Sequence, residues 1–534
     1  MGQRNDTDNR SAPSATGATA GQRAIDETEA LIAAAQKLRA KLYEDPHRPQ
    51  YHFLPPEAWM NDINGSIYWK GCYHIFYQHN PEGGYWKWMQ WGHASSTDLV
   101  HWVHHPIALT PTLGGPDRDG CFSGGAFLSR EGVPTFIYHG VPDGTCLAKS
   151  YDDLLIHWTK HPANPVIKVP KPGEAGYGVY NVFDPSSAWI QNGYYYTGLG
   201  NQKHLCGDLL KEDGDTVYLF KSQDLAAWEY VGPFYESDRK WTEADEDNAV
   251  PDFFPLGDKH MMLFTSHLQG TQYYLGRLEG ERFIPAQHAR MSWPGGELGG
   301  GRTLQDGQGR RIYFDWIRER RGVERERESG WSGVMTLPRV LSLGDDGTLC
   351  IEPAPEMAVL RRNHRILRGI RLPGGSERSL DGVRGDALEL ALEMRGQSPG
   401  DFGVKVCCSP DGAEQTLISF DPAAKRLKVI MAQSSLDKCI QYPYYRNAAA
   451  LARLPEEKRM VQAQEAPLEL RSGESLRLRI FVDRSVLEVF ANGRQCITQR
   501  IYPTRRDSLG VVLYSHGGEV TVQTAEAWDM APAH

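Results

Sequence analysis

The stretch Ser96-Thr97-Asp98-Leu99-Val100-His101-Trp102 returns twice further along the chain, and that recurrence decides the fold. It comes back as Tyr151-Asp152-Asp153-Leu154-Leu155-Ile156-His157-Trp158, one residue longer, and as Ser222-Gln223-Asp224-Leu225-Ala226-Ala227-Trp228. Each copy follows one apolar run with strand character and precedes another. Further short runs, such as Tyr194-Tyr195-Tyr196-Thr197 and Met261-Met262-Leu263-Phe264, are separated by Gly, Asn, Asp and Pro. An all-β chain of many short strands reads this way. Tryptophans recurring every 55 to 70 residues or so suggest one unit per four-stranded blade, hence a β-propeller; about five such units fit between residues 50 and 350. The competing reading is three coincidental turns.

Outward from the repeat, a chain of 534 residues is long enough for two domains. After Glu352-Pro353-Ala354-Pro355 the runs Ala387 to Leu392, Leu476 to Val482, Val486 to Ala491 and Leu509 to Tyr514 alternate cleanly, as in sheets with one solvated face. A β-sandwich is the expectation there. At the other end, residues 1 to about 22 are rich in Ser, Ala, Gly and Asn and are expected to be disordered. Leu31, Ala35, Leu38 and Leu42 then space a helix over Ala24 to Glu44, stopped by Pro46. The expected division is 1–46 for tail and helix, 47–352 for a five-bladed β-propeller, 353–365 for a linker and 366–534 for the β-sandwich.

Composition narrows the function. Hydrophobic residues at 40% and charged residues at 23% are ordinary for a soluble globular protein. A net charge of -9 weighs against nucleic acid or an anionic membrane as partner, and no run of about 18 apolar residues offers a membrane span. The nine cysteines lack C-x-x-C spacing, so neither a zinc site nor a disulfide framework is expected. No apolar signal-like core marks the N-terminus, which suggests a cytoplasmic protein or a trimmed secreted one. No metal and no cofactor are expected, and a homo-oligomer is left open. Fourteen Trp and 24 Tyr, beside many carboxylates, suit a carbohydrate binder. Three other motifs read as unremarkable: Gly295 to Gly301 as a flexible loop, the His101, His104, His105 group as plain surface, and Arg318 to Arg327 as a solvated face or loop.

Asp62 stands in Trp59-Met60-Asn61-Asp62-Ile63-Asn64-Gly65, where an Asp before Asn-Gly is by itself most simply a turn residue. The wider pattern resembles glycoside hydrolase family 32, which contains invertases, inulinases, levanases and fructosyltransferases. It runs through Phe76-Tyr77-Gln78, Trp91-Gly92-His93-Ala94, Phe122-Ser123-Gly124-Gly125 and Phe183-Asp184-Pro185. Pro251-Asp252-Phe253-Phe254-Pro255, Gly330 to Arg339 and Ile480 to Phe490 continue it in order to the C-terminal region. That resemblance implies a propeller joined to a sandwich and a retaining β-fructofuranosidase or fructosyltransferase that works through a covalent fructosyl-enzyme. It makes Asp62 the nucleophile and Asp184 the carboxylate that binds fructose hydroxyls. Asn61, Gln78, Trp86, Phe122 and Ser123 would line the fructose pocket, and Arg484 and Glu488 would pack the sandwich against the propeller.

Three departures stand out. Ile63 replaces the family's proline after the nucleophile, and Phe183 replaces the arginine of its Arg-Asp-Pro motif, removing a cation from the pocket. Counting back from Pro251, Ala249 occupies the position of the acid/base glutamate, and an alanine transfers no proton. Four readings follow: Glu243, Glu246 or Asp247 takes over, the alanine is an engineered Glu-to-Ala change, the chain is naturally inert, or it is a non-catalytic fructan-binding protein with a retained pocket. The engineered change fits the kept flanking features best.

Overall fold

The computed structural model describes residues 20–201, 214–396 and 400–533, with the backbone alone for 20–28, 31, 39 and 43. The helix spans Ala20–Glu44, close to the expected bounds, and belongs to a compact unit of its own that ends at Asp45. Most of the tail expected over residues 1–22 lies outside the described residues.

From Pro46 onward the chain forms a second unit. Its first part is five antiparallel sheets in chain order, each with its first strand innermost. Those inner strands are Ala58–Ile63, Gly120–Leu128, Trp189–Gln191, Ala249–Leu256 and Leu298–Gln305, one for each of blades 1 to 5. Blade 1 is also bonded by the short strand Trp331–Ser332, which pairs parallel to Ala58 and Trp59 from late in the sequence. The loop expected over Gly295 to Gly301 is corrected in part: Gly299, Gly300 and Gly301 belong to the inner strand of blade 5.

The repeat that announced the blades is a corner between a blade's third and fourth strands. Asp98 accepts the backbone N–H groups of Val100 and His101 at 3.0 and 2.8 Å. Asp152 and Asp224 do the same for the residues that follow them. The Asp side chain imitates a backbone turn, which lets Leu99, Leu155 and Leu225 take left-handed backbone angles of +65°, +55° and +69°. All three leucines are buried. In blades 2 and 3 the tryptophan indole N–H closes the corner on the leucine carbonyl, at 2.7 and 3.0 Å. Asp, Leu and Trp thus have separate jobs at fixed spacing, which is why they recur together.

A short 3-10 turn, Pro355–Leu360, leads into two six-stranded sheets. The connection is shorter than the linker expected over 353–365, because a sandwich strand already begins at Arg361. Leu390, Leu478, Ile480 and Val489 from one sheet pack on Val404, Ile418, Val429 and Leu513 from the other.

Sandwich and propeller are joined by buried charge. Glu488 accepts the Leu337 N–H at 3.0 Å and pairs with Arg339 at 3.1 Å, all without exposure. Asp483 accepts the N–H groups of Gln50, Tyr51 and His52 and the His52 ring nitrogen Nδ1 at 2.7 to 2.9 Å. Arg484 donates to the Arg48 carbonyl at 2.9 Å. Burial alone would lower the His52 pKa, but its hydrogen bond to Asp483 and the Glu488 carboxylate 3.5 Å from Nε2 raise it above its ordinary value. Burial works to raise Asp483 and Glu488; pairing with His52 for the first and Arg339 for the second outweighs it and lowers both.

Removing one member of such a cluster strands the others without water. Glu488→Ala should therefore cost about 3–5 kcal/mol in a denaturant unfolding experiment. The pH dependence has two signs. The His52 contribution is full below its unfolded value near about 6.5 and fades as pH rises through its higher folded value. The two carboxylates contribute above their ordinary values near about 4 and lose that contribution as pH falls. His52→Gln should flatten the alkaline side of a plot of Tm against pH.

Candidate active site

The inner strands converge, and four of them break their hydrogen-bonding ladder on the way. Register shifts fall between Met60 and Ile63, Cys121 and Gly124, Ala249 and Asp252, and Gly299 and Arg302. In blade 3 the segment Phe183-Asp184-Pro185 precedes the inner strand and touches its blade by one bridge, Pro185 to Leu199. A bulge releases residues from pairing and re-aims their side chains. Asn61-Asp62 and Phe122-Ser123 are the residues so released.

They face a cavity of about 880 Å³. Asn61, Asp62, Gln78, Trp86, Phe122, Ser123 and Asp184, all expected from sequence, line it. Ser123 donates its hydroxyl to Asp62 Oδ2 at 2.6 Å, and the Asn61 amide donates to Oδ1 at 3.1 Å. Trp59 in turn holds Asn61 by its indole N–H at 2.7 Å. Gly300 completes the seat: its φ is +73°, and a Cβ there would lie 2.2 Å from Asp62 Oδ1. Only glycine fits. Trp59, Trp86 and Trp316 stand on the wall, with Trp86 edge-on to Phe122 at 5.8 Å.

Asp184 is 4% exposed. Burial pushes its carboxyl up to about 8, and the charge of Asp62 adds to the rise, against the pull of His267, Arg302 and the Val250 N–H. Two carboxylates that share a desolvated cavity do not both ionise readily. Arg302, wholly buried, ties the surrounding strands by donating to the carbonyls of Pro185 and Pro251. A further wall is apolar or aromatic: Val141, Pro142, Val169, Pro170, Tyr177, Tyr180 and Phe183. Phe183 packs on the His139 ring at 4.9 Å, and burial lowers His139 to about 4, so its ring is neutral.

Ala249 lies beside the site, since the N–H of its neighbour Val250 bonds Asp184. It is fully buried at the start of the blade 4 inner strand, opposite Thr265, and does not line the cavity. Its Cβ is covered by protein. Of the three carboxylates considered as substitutes, Glu246 and Asp247 are buried and Glu243 is exposed, and none lines the cavity. Glu246 is buried, accepting from the Glu243 N–H and bonded to Gln272 and Arg290. Glu243 is taken by Gln269 and Tyr445. Asp247 is 1% exposed on its side chain.

Among the cavity residues that escaped the sequence reading are Arg318 and His267. Arg318 lies on the wall, and the solvated face expected over 318–327 is corrected in part: Gly322 to Arg325 and Arg327 are exposed, but Glu319 and Glu326 are buried, Glu319 pairing with Arg500 at 2.8 Å. His267 also lines the cavity, its side chain 42% exposed. Asp247 accepts its backbone N–H and its ring Nδ1, both at 2.8 Å. Burial alone would lower His267, but the charge and hydrogen bond of Asp247, with Asp184 and Asp62 beyond, raise it to about 9. Its only sequence signal was a histidine placed just after an apolar strand.

Comparison with known proteins agrees with this architecture. Residues 52–353 match the Glycosyl hydrolases family 32 N-terminal domain, and residues 356–529 match the Glycosyl hydrolases family 32 C terminal. Sucrose-6-phosphate hydrolase of Escherichia coli is 29% identical over 539 residues, covering 94% of this chain and 100% of its own. Levanase of Bacillus subtilis is 29% identical over 526 residues, covering 90% and 70%. The crystal structure of fructan 1-exohydrolase IIa from Cichorium intybus superposes with a TM-score of 0.78 at 25% identity, covering 92% of this chain and 98% of that one. With both family domains matched in order over most of its length, the chain belongs to glycosyl hydrolase family 32 and is a glycosidase built as a β-propeller followed by a β-sandwich.

Proposed function

We propose that the protein cleaves β-fructofuranosyl bonds with retention, with Asp62 as nucleophile and Asp184 holding the fructosyl hydroxyls. The observation that carries this reading is the pairing of an anchored Asp62 with a mostly neutral Asp184 in one cavity. Its relatives hydrolyse sucrose 6-phosphate and levan by name, and a structure of the chicory enzyme contains 1-kestose. The substrate is accordingly a fructose-containing carbohydrate or fructoside.

Each residue has a chemical task. Ser123 and Asn61 fix the Asp62 rotamer, so that one oxygen faces the anomeric carbon without reorganisation. Asp62 attacks that carbon as the glycosidic oxygen leaves, through an oxocarbenium-like transition state, and water or a sugar later displaces it. Asp184 as a neutral acid can donate to one hydroxyl and accept from another. The Gln78 side-chain carbonyl is buried without a hydrogen-bond partner, an acceptor suited to a further hydroxyl. On the side of the leaving group, Phe183 and its apolar neighbours offer surface in place of the family's cation. That favours an apolar or aromatic aglycone over a second sugar ring.

Asp62→Ala should lower fructoside cleavage by about 10⁴-fold or more, as loss of a nucleophile does. Residual activity within about tenfold of the original would remove Asp62 from the role. Gly300→Ala should fold yet lose about 10²-fold in kcat, because the added methyl displaces Asp62 by an ångström or so. An aryl β-fructofuranoside should show a higher kcat/KM than sucrose, and Phe183→Arg should narrow that gap by about tenfold.

A further inference from the structure

Resting on the fructosidase reading, we propose that His267, held by Asp247, is the proton donor to the leaving oxygen and the base in the second half-reaction. The need is plain: a sugar or alkyl oxygen leaves poorly without a proton, and the residue at the family's acid position is Ala249. The geometry supplies a candidate. His267 reaches the same cavity as Asp62 and Asp184, from the blade that carries Ala249.

Asp247 grips His267 twice, through backbone N–H and ring Nδ1. That double contact fixes ring orientation and tautomer, as the carboxylate does in other carboxylate–histidine pairs. Proton transfer then runs through Nε2, on the opposite side of the ring. Asp247 is two residues before Ala249, so the acidic function moves from the strand residue itself to a histidine clamped by its neighbour.

The charges around His267 favour its protonated form. Asp247 bonds it within blade 4 and has the largest raising effect, the Asp62 carboxylate of blade 1 adds to it, and the mostly neutral Asp184 of blade 3 and the Arg318 cation share the same cavity. At neutral pH the imidazolium is the resting state, as an acid requires.

The steps balance. An Asp62 oxygen bonds to the anomeric carbon, the bond from that carbon to the leaving oxygen breaks, and its electron pair takes the Nε2 proton. The alcohol leaves and His267 is neutral. Nε2 then accepts a proton from water as the water oxygen attacks the anomeric carbon, the ester to Asp62 breaks, and the imidazolium is restored.

The test compares two leaving groups, phenyl and 2,4-dinitrophenyl β-D-fructofuranoside, on full-length protein. His267→Gln should lower kcat/KM for the phenyl compound by about 10²–10⁴-fold, and for the dinitrophenyl compound by less than about tenfold, since that phenolate needs no proton. The retained dinitrophenyl rate also shows that the variant folds. Asp247→Asn should show the same selectivity more weakly and move the alkaline limb of the phenyl pH profile to lower pH, because the carboxylate no longer supports the imidazolium. Ala249→Glu should bring no gain on the phenyl compound. Equal losses on both compounds with His267→Gln, or a gain of about 10²-fold or more with Ala249→Glu, would overturn the assignment. Asp62→Ala separates the two claims: it must abolish cleavage of both compounds, and if it does not, the fructosidase reading fails independently of His267.

Discussion

The site depends on one geometric constraint: five inner strands must meet around a single axis. Paired backbone leaves no room there for side chains that point inward in concert. The strands meet it by giving up pairing, with bulges at Asn61-Asp62, Phe122-Ser123, Val250-Pro251 and Gly300-Gly301. Val250 takes a left-handed φ of +51° at its bulge, and its N–H is spent on Asp184. The lost ladder bonds are replaced across blades, as where Asp252 accepts the Thr303 N–H and hydroxyl at 2.8 and 2.7 Å. Catalytic geometry and propeller closure are thus one arrangement.

Electrostatics then divides labour among similar groups. Asp62 takes hydrogen bonds from Ser123 and Asn61, which fix the orientation of its carboxyl group. Asp184, nearer to pure burial, is pushed up to about 8. His267, although burial opposes it, is raised to about 9 by the charge and hydrogen bond of Asp247. Environments that push titratable groups apart in this way mark acid and base assignments in glycosidases generally.

The fold was legible in the sequence because its signals are local. Asp98, Asp152 and Asp224 each build a turn within five residues, and the alternation of the sandwich strands is read two residues at a time. Asp62, Asp184 and their five companions were legible through motifs that span only a few positions. The remainder depended on distant packing. The burial of Glu319 within the otherwise mostly exposed Arg318 to Arg327 was not legible, because its partner Arg500 lies in the other domain, far along the chain. His267 showed only as one histidine among 18, since its meaning rests on Asp247, a residue on a different strand approach. Counting from Pro251 located Ala249 but could not show that its Cβ is covered.

Peptide-level mass spectrometry of the enzyme quenched in acid during turnover of 2,4-dinitrophenyl β-D-fructofuranoside addresses the central claim most directly. One hexosyl unit, esterified to Asp62, is the expected adduct, with fructose or its transfer product released in the β configuration. An adduct on Asp184 or any other side chain, or an inverted product with no adduct, would contradict Asp62 as the nucleophile around which the cavity is built.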